Sequence, residues 1–300
     1  MSFKIQHIFD KKKKINCLEF CNDATFAKID LNRGASLQEL TLNFIPIIQD
    51  LQPLKYQDTY ASSILFPFAS RIKNGKYIFQ NEEYQTEINE KERSNSLHGF
   101  VYNKEFQIVN QQIEKHKASI VLEYNETKLT KGFPFTYKIQ LEYILQNTSL
   151  ELKVNVLNTS TKTFPFTLGW HPYFTSTDLF NSSLKFKSDK KVLFDNELIT
   201  EKIEDYNFDS EFKFENKKLD DCYFLNSNLV EFHTPNYTLF IRSSSDNNFL
   251  QVYTPPKENL IALEPTTGIS NSFNNKIGLK TLKPSQEFLI SWQLEVINLQ

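Results

Sequence analysis

Long apolar runs are missing from this 300-residue sequence. A helix that crosses a bilayer needs about 18 to 20 consecutive apolar residues, and no such stretch occurs, so we expect no transmembrane helix. The N-terminal residues Met1 to His7 also lack the apolar core of a secretory signal peptide. The sequence therefore predicts a cytoplasmic protein that does not interact with membranes.

Cysteine is scarce, with only Cys17, Cys21 and Cys222 in the chain. The count is odd, and the spacing fits neither a zinc site nor a disulfide framework. We therefore expect three free thiols, as in a reducing cytosol, and no metal site.

An excess of positive charge is missing as well. The chain has 34 lysines and arginines against 36 aspartates and glutamates, a formal net charge of −2, and a pI near 6.3. Because no global positive field would attract a polyanion, nucleic-acid binding is not expected. Arginine is rare, with four residues. We therefore expect an arginine of this chain, more often than usual, at a site that needs the planar set of N–H donors of a guanidinium group.

Sustained helical periodicity is absent, whereas a period of two is common. Apolar and polar residues alternate in 137–143 and again, with the parity switched, in 150–156. The short polar stretch 146–149 between them predicts an antiparallel hairpin. The same alternation occurs in 118–124, 183–188, 237–241, 249–253 and 288–296. Many short strands with almost no helix predict an all-β fold, a large antiparallel β-sandwich in one domain over residues 1–300.

Two histidines lie in unusual surroundings. His98 belongs to the Leu-His-Gly-Phe string at 97–100, where Gly99 permits a close approach of the backbone. His171 lies within 164–174, an aromatic segment with a proline on each side of the histidine. We expect His171 in a rigid, partly dry environment. A core histidine with a satisfied hydrogen bond is the alternative interpretation.

Glu264 is the most informative carboxylate, because it follows the apolar run 260–263 and precedes Pro265. A glutamate at the end of a buried strand is poorly solvated, which raises its pKa toward the range useful for a general base. An ordinary strand-end glutamate that points outward is the alternative. Two further polar sites are Asp220-Asp221, for which a turn is the simpler explanation, and Arg71 in aromatic surroundings.

Together these segments resemble the aldose 1-epimerase (galactose mutarotase) family. The similarity extends from about Gly34 to Val296, and its most specific part is the Trp-His-Pro-Tyr-Phe string at 170–174 combined with the upstream Leu-His-Gly-Phe. Members of the family are large antiparallel β-sandwiches of the galactose mutarotase-like super-sandwich type, so the resemblance implies that fold. The segments that carry it, in the family's order and approximate spacing, are 66–72, 97–100, 169–174, 220–223 and 263–265.

The resemblance implies mutarotation of a free aldohexose such as glucose or galactose, as part of sugar catabolism. In this reaction the pyranose ring opens, the C1–C2 bond rotates, and the ring closes on the other face of the carbonyl. Glu264 would be the base that takes the proton from O1. His171 would be the acid that protonates O5 from the opposite side of the ring. Each such transfer typically contributes about 10²–10⁴-fold to the rate. His98 would assist at the ring oxygen.

The same resemblance implies the groups that bind the sugar. Arg71 would hold hydroxyls through its fork of donors, and Asp220 would accept from hydroxyls at the opposite edge, with Asp221 as the alternative. Trp170 or Tyr173 would supply a stacking face. No metal or organic cofactor is needed, the sugar is the expected partner, and the chain is expected to be a monomer or homodimer.

Two departures from the family leave the preferred sugar open. Many galactose mutarotases have asparagine where this chain has Ser70 and Trp170. A hexose-6-phosphate 1-epimerase is one alternative, but it would need cationic anchors, and Arg71 is the only arginine within a motif. A non-catalytic carbohydrate-binding protein is another, although binding alone requires no acid and base. A glycoside hydrolase usually needs two carboxylates, and only one convincing candidate is present.

Overall fold

The computed structural model describes residues 2–214, 218–245 and 248–298. Within these ranges the regular secondary structure is almost entirely β-strand, with two α-helices of four residues each. None of the described helices is long and apolar enough to cross a membrane.

The N-terminal strands form an antiparallel meander in which each strand pairs with the next along the chain. Leu18, Phe20, Ala27 and Ile29 are fully buried, so one face of this sheet belongs to the core. The strands are β1 (Lys4–Asp10), β2 (Ile15–Cys21), β3 (Phe26–Asp30), β4 (Ser36–Leu42) and β5 (Ile45–Ile48).

Short elements follow, up to the Leu-His-Gly-Phe string. They are α1 (Tyr56–Thr59), β6 (Ile64–Leu65), β7 (Arg71–Ile72), β8 (Lys76–Phe79), β9 (Glu82–Gln85) and β10 (Ser96–Leu97), with 3-10 turns at Lys73–Gly75 and Lys91–Arg93. Strand β7 pairs with β10, and this pairing sets Arg71 opposite Leu97, the residue before His98.

The rest of the chain forms most of a 15-stranded antiparallel sheet. Its strand order is β11-β12-β13-β14-β26-β22-β21-β18-β20-β23-β24-β16-β6, with β17 beside β24 and β19 beside β18. The remaining elements are β11 (Gln107–Ile113), β12 (Ala118–Glu126), β13 (Tyr137–Leu145), β14 (Ser149–Asn158), β15 (Phe164–Phe166), β16 (Gly169–Trp170), β17 (Tyr173–Thr175), β18 (Ser183–Phe194), β19 (Thr200–Lys213), β20 (Asp220–Leu225), β21 (Leu229–His233), β22 (Tyr237–Ser243), β23 (Asn248–Tyr253), β24 (Leu260–Thr266), α2 (Ser272–Asn275), β25 (Lys280–Leu282) and β26 (Glu287–Asn298).

The predicted hairpin is confirmed by β13 and β14. The two strands are antiparallel, with Leu145 opposite Leu150 at the turn and Tyr137 opposite Asn158 at the far end. Buried and half-buried residues alternate strictly along β13, as a sheet with one face on a core requires. The other alternating segments lie in β12, β18, β22, β23 and β26.

The five-stranded and the 15-stranded sheets share one large apolar cluster, which contains residues from Phe3 to Val296. Their contact includes a polar link, in which the hydroxyl of Tyr143 on β13 donates to the carbonyl oxygen of Ala35 at 2.8 Å. Leu141, on the same face of β13, is fully buried, so its truncation to alanine would cost about 2–5 kcal/mol. The predicted all-β antiparallel sandwich is therefore confirmed.

Candidate active site

A cleft of about 270 Å³ is lined by residues of β7, β10, β20, β23 and β24. Pockets for small ligands are usually about 300–1,000 Å³, and the cleft lies just below this range, so it suits a single small molecule. Six of the seven predicted site residues line it, although they come from separate segments of the chain: Arg71, His98, His171, Tyr173, Asp220 and Glu264.

Glu264 lies on β24, where all seven residues are buried. It is set opposite Gln251 of β23, which is in turn opposite Cys222 of β20, so these three residues form a row across adjacent strands. The Glu264 side chain is 5% exposed. Burial raises its pKa well above the ordinary value, the charge of Asp220 raises it further, and Arg71 opposes the shift. The carboxyl group therefore holds a proton more tightly than it would in water.

His171 lies between β16 and β17, and its backbone is fixed on both sides. Its N–H donates to the carbonyl oxygen of Ser63 at 3.1 Å, and its carbonyl oxygen accepts from the N–H of Ser62 at 2.8 Å. The imidazole stacks on the ring of Tyr173, with centroids 5.0 Å apart and an interplanar angle of 15°. Burial lowers the pKa of His171 to about 3.

The two side chains meet directly, since Nε2 of His171 lies 3.3 Å from Oε1 of Glu264. This separation is within ion-pair range, but burial moves both pKa values toward the uncharged forms. We therefore describe the pair as a neutral unit that holds one transferable proton. The expectation that the two groups lie on opposite sides of a sugar ring is wrong, because at 3.3 Å no ring fits between them.

His98 follows β10 in a left-handed conformation, with φ of 61°. Its backbone N–H donates to the carbonyl oxygen of Ser70 at 2.9 Å, and its Nδ1 accepts from the N–H of Ser70 at 3.3 Å. A ring nitrogen that accepts from a backbone N–H carries no proton, so Nε2 carries the proton in the neutral imidazole. Burial and the neighbouring His171 hold the pKa of His98 well below its usual value. His98 is thus a neutral hydrogen-bond donor.

Gly99 explains the fixed position of His98. It has φ of 72°, and a Cβ on this residue would lie 2.1 Å from the carbonyl oxygen of Phe66. Phe66 and Gly99 form a bridge between two chain segments, in which the N–H of Phe100 donates to Phe66 at 2.8 Å. Only glycine allows this approach, as the sequence predicted.

Arg71 is held by Glu90, a residue that the sequence did not single out. Nε and Nη2 of Arg71 donate to the two carboxylate oxygens of Glu90, both at 2.9 Å. Arg93 and Asn95 also donate to this carboxylate, at 3.2 and 3.3 Å. The bidentate bond uses two of the five N–H donors of Arg71, so three remain for other acceptors.

The two adjacent aspartates have different environments because they alternate across β20. Asp220 lines the cleft and accepts from Nε2 of Gln251 at 2.6 Å. Burial raises its pKa, against the lowering effect of Arg71. Asp221 points the other way and pairs with Lys191 at 2.7 Å. Asp220 is therefore the aspartate that faces the cleft.

The aromatic residues differ from the prediction. Trp170 is fully buried, donates from Nε1 to the carbonyl oxygen of Ser62 at 3.2 Å, and packs on Trp292. A stacking role for Trp170 on a ligand is wrong, because no part of its ring reaches the cleft. Tyr173 lines the cleft, but one face of its ring covers His171 and its hydroxyl donates to Thr59.

Several cleft residues were not found in the sequence. Glu90 and Arg93 lie in a charged stretch without a distinguishing pattern, and Gln251 was visible only as one polar residue of an alternating strand. Tyr60 packs edge-on against the imidazole of His98, with centroids 4.8 Å apart. Local sequence does not reveal that these residues line one cleft.

Comparison with known proteins identifies a family and a shared fold. A profile of the family described as aldose 1-epimerase matches residues 17–294. The Escherichia coli K12 protein YihR is 27% identical over 262 residues, which are 83% of each chain. The protein YphB of the same organism is 30% identical over 110 residues, which are 37% of this chain and 35% of YphB.

Solved structures share the fold. A galactose mutarotase-like protein from Clostridium acetobutylicum has a TM-score of 0.84 and 21% identity, with 99% of both chains covered. The galactose 1-epimerase from Lactobacillus acidophilus NCFM has a TM-score of 0.82 and 18% identity, also with 99% of both chains covered.

Proposed function

This chain belongs to the aldose 1-epimerase family, and we propose that it interconverts the α and β anomers of a free aldohexose such as glucose or galactose. The observation that supports the proposal most directly is the 3.3 Å contact between His171 and Glu264 at a cleft of monosaccharide size. Mutarotation needs one proton acceptor and one proton donor at the anomeric centre, and this pair supplies both.

The short separation suits the chemistry better than groups on opposite sides of the ring would. In a pyranose, O1 and O5 are bonded to the same carbon, C1, so their proton partners must also be close together. Glu264 as the base takes the O1 proton and His171 as the acid protonates O5, while the C1–O5 bond breaks and C1 becomes an aldehyde. Rotation about C1–C2 and return of the two protons close the ring as the other anomer.

Burial favours the uncharged pair, whereas these roles need a carboxylate and an imidazolium. The two states differ only in which partner carries the shared proton, so no proton has to enter from solvent. Arg71 stabilises the carboxylate, because its charge lowers the pKa of Glu264. Sugar hydroxyls in the cleft would favour the charged state further, by replacing hydrogen bonds that water no longer provides.

The remaining cleft residues fit sugar binding. Nε2–H of His98 is a donor suited to the ring oxygen, Arg71 has three N–H groups for hydroxyls, and Asp220 is an acceptor at the other edge. Tyr173 orients His171 by stacking rather than by contact with the sugar. The localisation in the cytoplasm and the monomeric or dimeric state remain predictions.

A hexose 6-phosphate is a weaker candidate, although Arg93 joins Arg71 at the cleft. Both arginines donate to Glu90, and the cleft also contains Asp58 and Asp220. Besides Glu264, three carboxylates therefore oppose two guanidinium groups, which disfavours a dianionic ligand.

Polarimetry of freshly dissolved α-D-glucose, α-D-galactose and glucose 6-phosphate tests the proposal. We expect acceleration with a free hexose, and a lower kcat/KM with the phosphate ester. Faster turnover of the phosphate would favour the second candidate. Binding of a sugar without acceleration of any aldose would identify a carbohydrate-binding protein instead.

A further inference from the structure

A second cavity of about 840 Å³ adjoins the catalytic cleft. Asp58, Tyr60 and Tyr173 line both spaces, so the two cavities share one wall. We propose that the second cavity binds another sugar ring, linked to the aldose whose C1 lies at Glu264 and His171. The inference rests on the proposed function, and it assigns the chain a reducing disaccharide or longer saccharide as its preferred substrate.

Unpaired amide side chains are the first support. Gln49, Gln52, Gln57 and Asn103 line the second cavity and are exposed. Within the described ranges, none of these four side chains has a hydrogen bond to another protein group. Each amide offers two donors and an acceptor oxygen, a combination that matches the hydroxyls of a sugar.

Aromatic surface is the second support. Tyr60 and Tyr102 line the cavity and pack edge-on against each other, with centroids 4.8 Å apart. The other edge-on partner of Tyr60 is His98, on the catalytic side. Tyr60 therefore lies between the cleft and the second cavity, with an aromatic partner on each side.

The charges of the second cavity favour a neutral ligand. Its charged side chains are Arg33, Asp50, Lys55 and Asp58, two of each sign. Arg33 is also paired with Asp30 at 3.3 Å, outside the cavity lining. A phosphate or nucleotide would meet no excess of positive charge here, whereas a saccharide needs none.

The test uses NMR at C1 to measure the rate of anomer exchange at equilibrium, with glucose, maltose and isomaltose as substrates. We expect at least one of these disaccharides to have a kcat/KM equal to or above that of glucose. In the double variant Gln57→Ala/Asn103→Ala, the ratio of disaccharide to glucose kcat/KM should fall about tenfold, the effect of losing two hydrogen bonds of ordinary strength.

Gln112→Ala is the matched control, because Gln112 is an exposed amide on strand β11, far along the sheet from the cleft. This variant should keep the wild-type ratio. The inference is overturned if glucose is turned over but both disaccharides are poor substrates. A ratio that stays unchanged in the double variant overturns it too. If no aldose exchanges faster than in buffer, the proposed function fails, and the inference fails with it.

Discussion

Nε2 of His171 lies 3.3 Å from Oε1 of Glu264, and the two side chains are only 6% and 5% exposed. Strand β24 and the loop between β16 and β17 bring together two residues that are far apart in the sequence. Because both side chains are almost fully buried, both pKa values are shifted toward the uncharged forms, and the predictions below depend on this contact.

The pH dependence of catalysis should differ from that of an ordinary histidine. Burial lowers the pKa of His171 to about 3 and raises that of Glu264 well above 4.5, so the pair keeps one transferable proton between these limits. We expect kcat/KM to stay level as the pH falls through 6.5 and to decline only as the pH approaches 3. At high pH it should fall once Glu264 loses its proton. A kcat/KM profile measured by polarimetry that rises with pH between 6 and 7 would contradict this.

Glu264 should lower the stability of the folded protein at neutral pH. The pKa of Glu264 is raised in the folded state. Its contribution to the free energy of unfolding is therefore largest below 4.5, its pKa in the unfolded chain, and is lost as the pH rises toward its pKa in the folded protein. Glu264→Gln removes this titration. We expect the variant to gain about 0.5–2 kcal/mol in the free energy of unfolding at pH 8, and to gain little at pH 4.

Urea denaturation of both proteins at the two pH values measures the difference. The titration of His171 affects both proteins and largely cancels in the comparison. A variant that is less stable than the wild type at pH 8 would count against a buried carboxyl group with a raised pKa.

Glu90 should act on catalysis through Arg71, as a positioning residue. Glu90→Gln weakens the bidentate bond and leaves the guanidinium without its carboxylate partner. We expect KM for the aldose to rise about tenfold, with a smaller change in kcat, because in the proposed function Arg71 binds hydroxyls rather than the reacting atoms. Glu92→Gln, two residues further along and exposed, is the matched control. Equal effects of the two substitutions on KM would exclude the positioning role.

The sequence was sufficient for the fold where local pattern decides structure. The strict alternation of 137–143 and 150–156 specified the β13–β14 hairpin and its buried face, since a shift by one residue would expose every apolar side chain. The exclusion of long helices followed from the same patterns.

The site was only partly predictable. The resemblance supplied His98, His171, Glu264, Arg71 and Asp220, and all five line one cleft. The direct contact between Glu264 and His171, the bond from Arg71 to Glu90 and the burial of Trp170 depend on how distant strands pack. Trp170 looked like a platform because it is aromatic and next to His171. Alternation along the chain turns its side chain into the core instead.

The most direct test measures mutarotation of α-D-glucose and α-D-galactose by polarimetry, with wild type, Glu264→Gln and His171→Asn. Both substitutions preserve shape closely and remove the proton-transfer function. We predict that each variant loses at least about 10²-fold in kcat while it still binds the sugar by calorimetry. Wild-type rates in both variants would contradict the assignment of this pair as the acid and base.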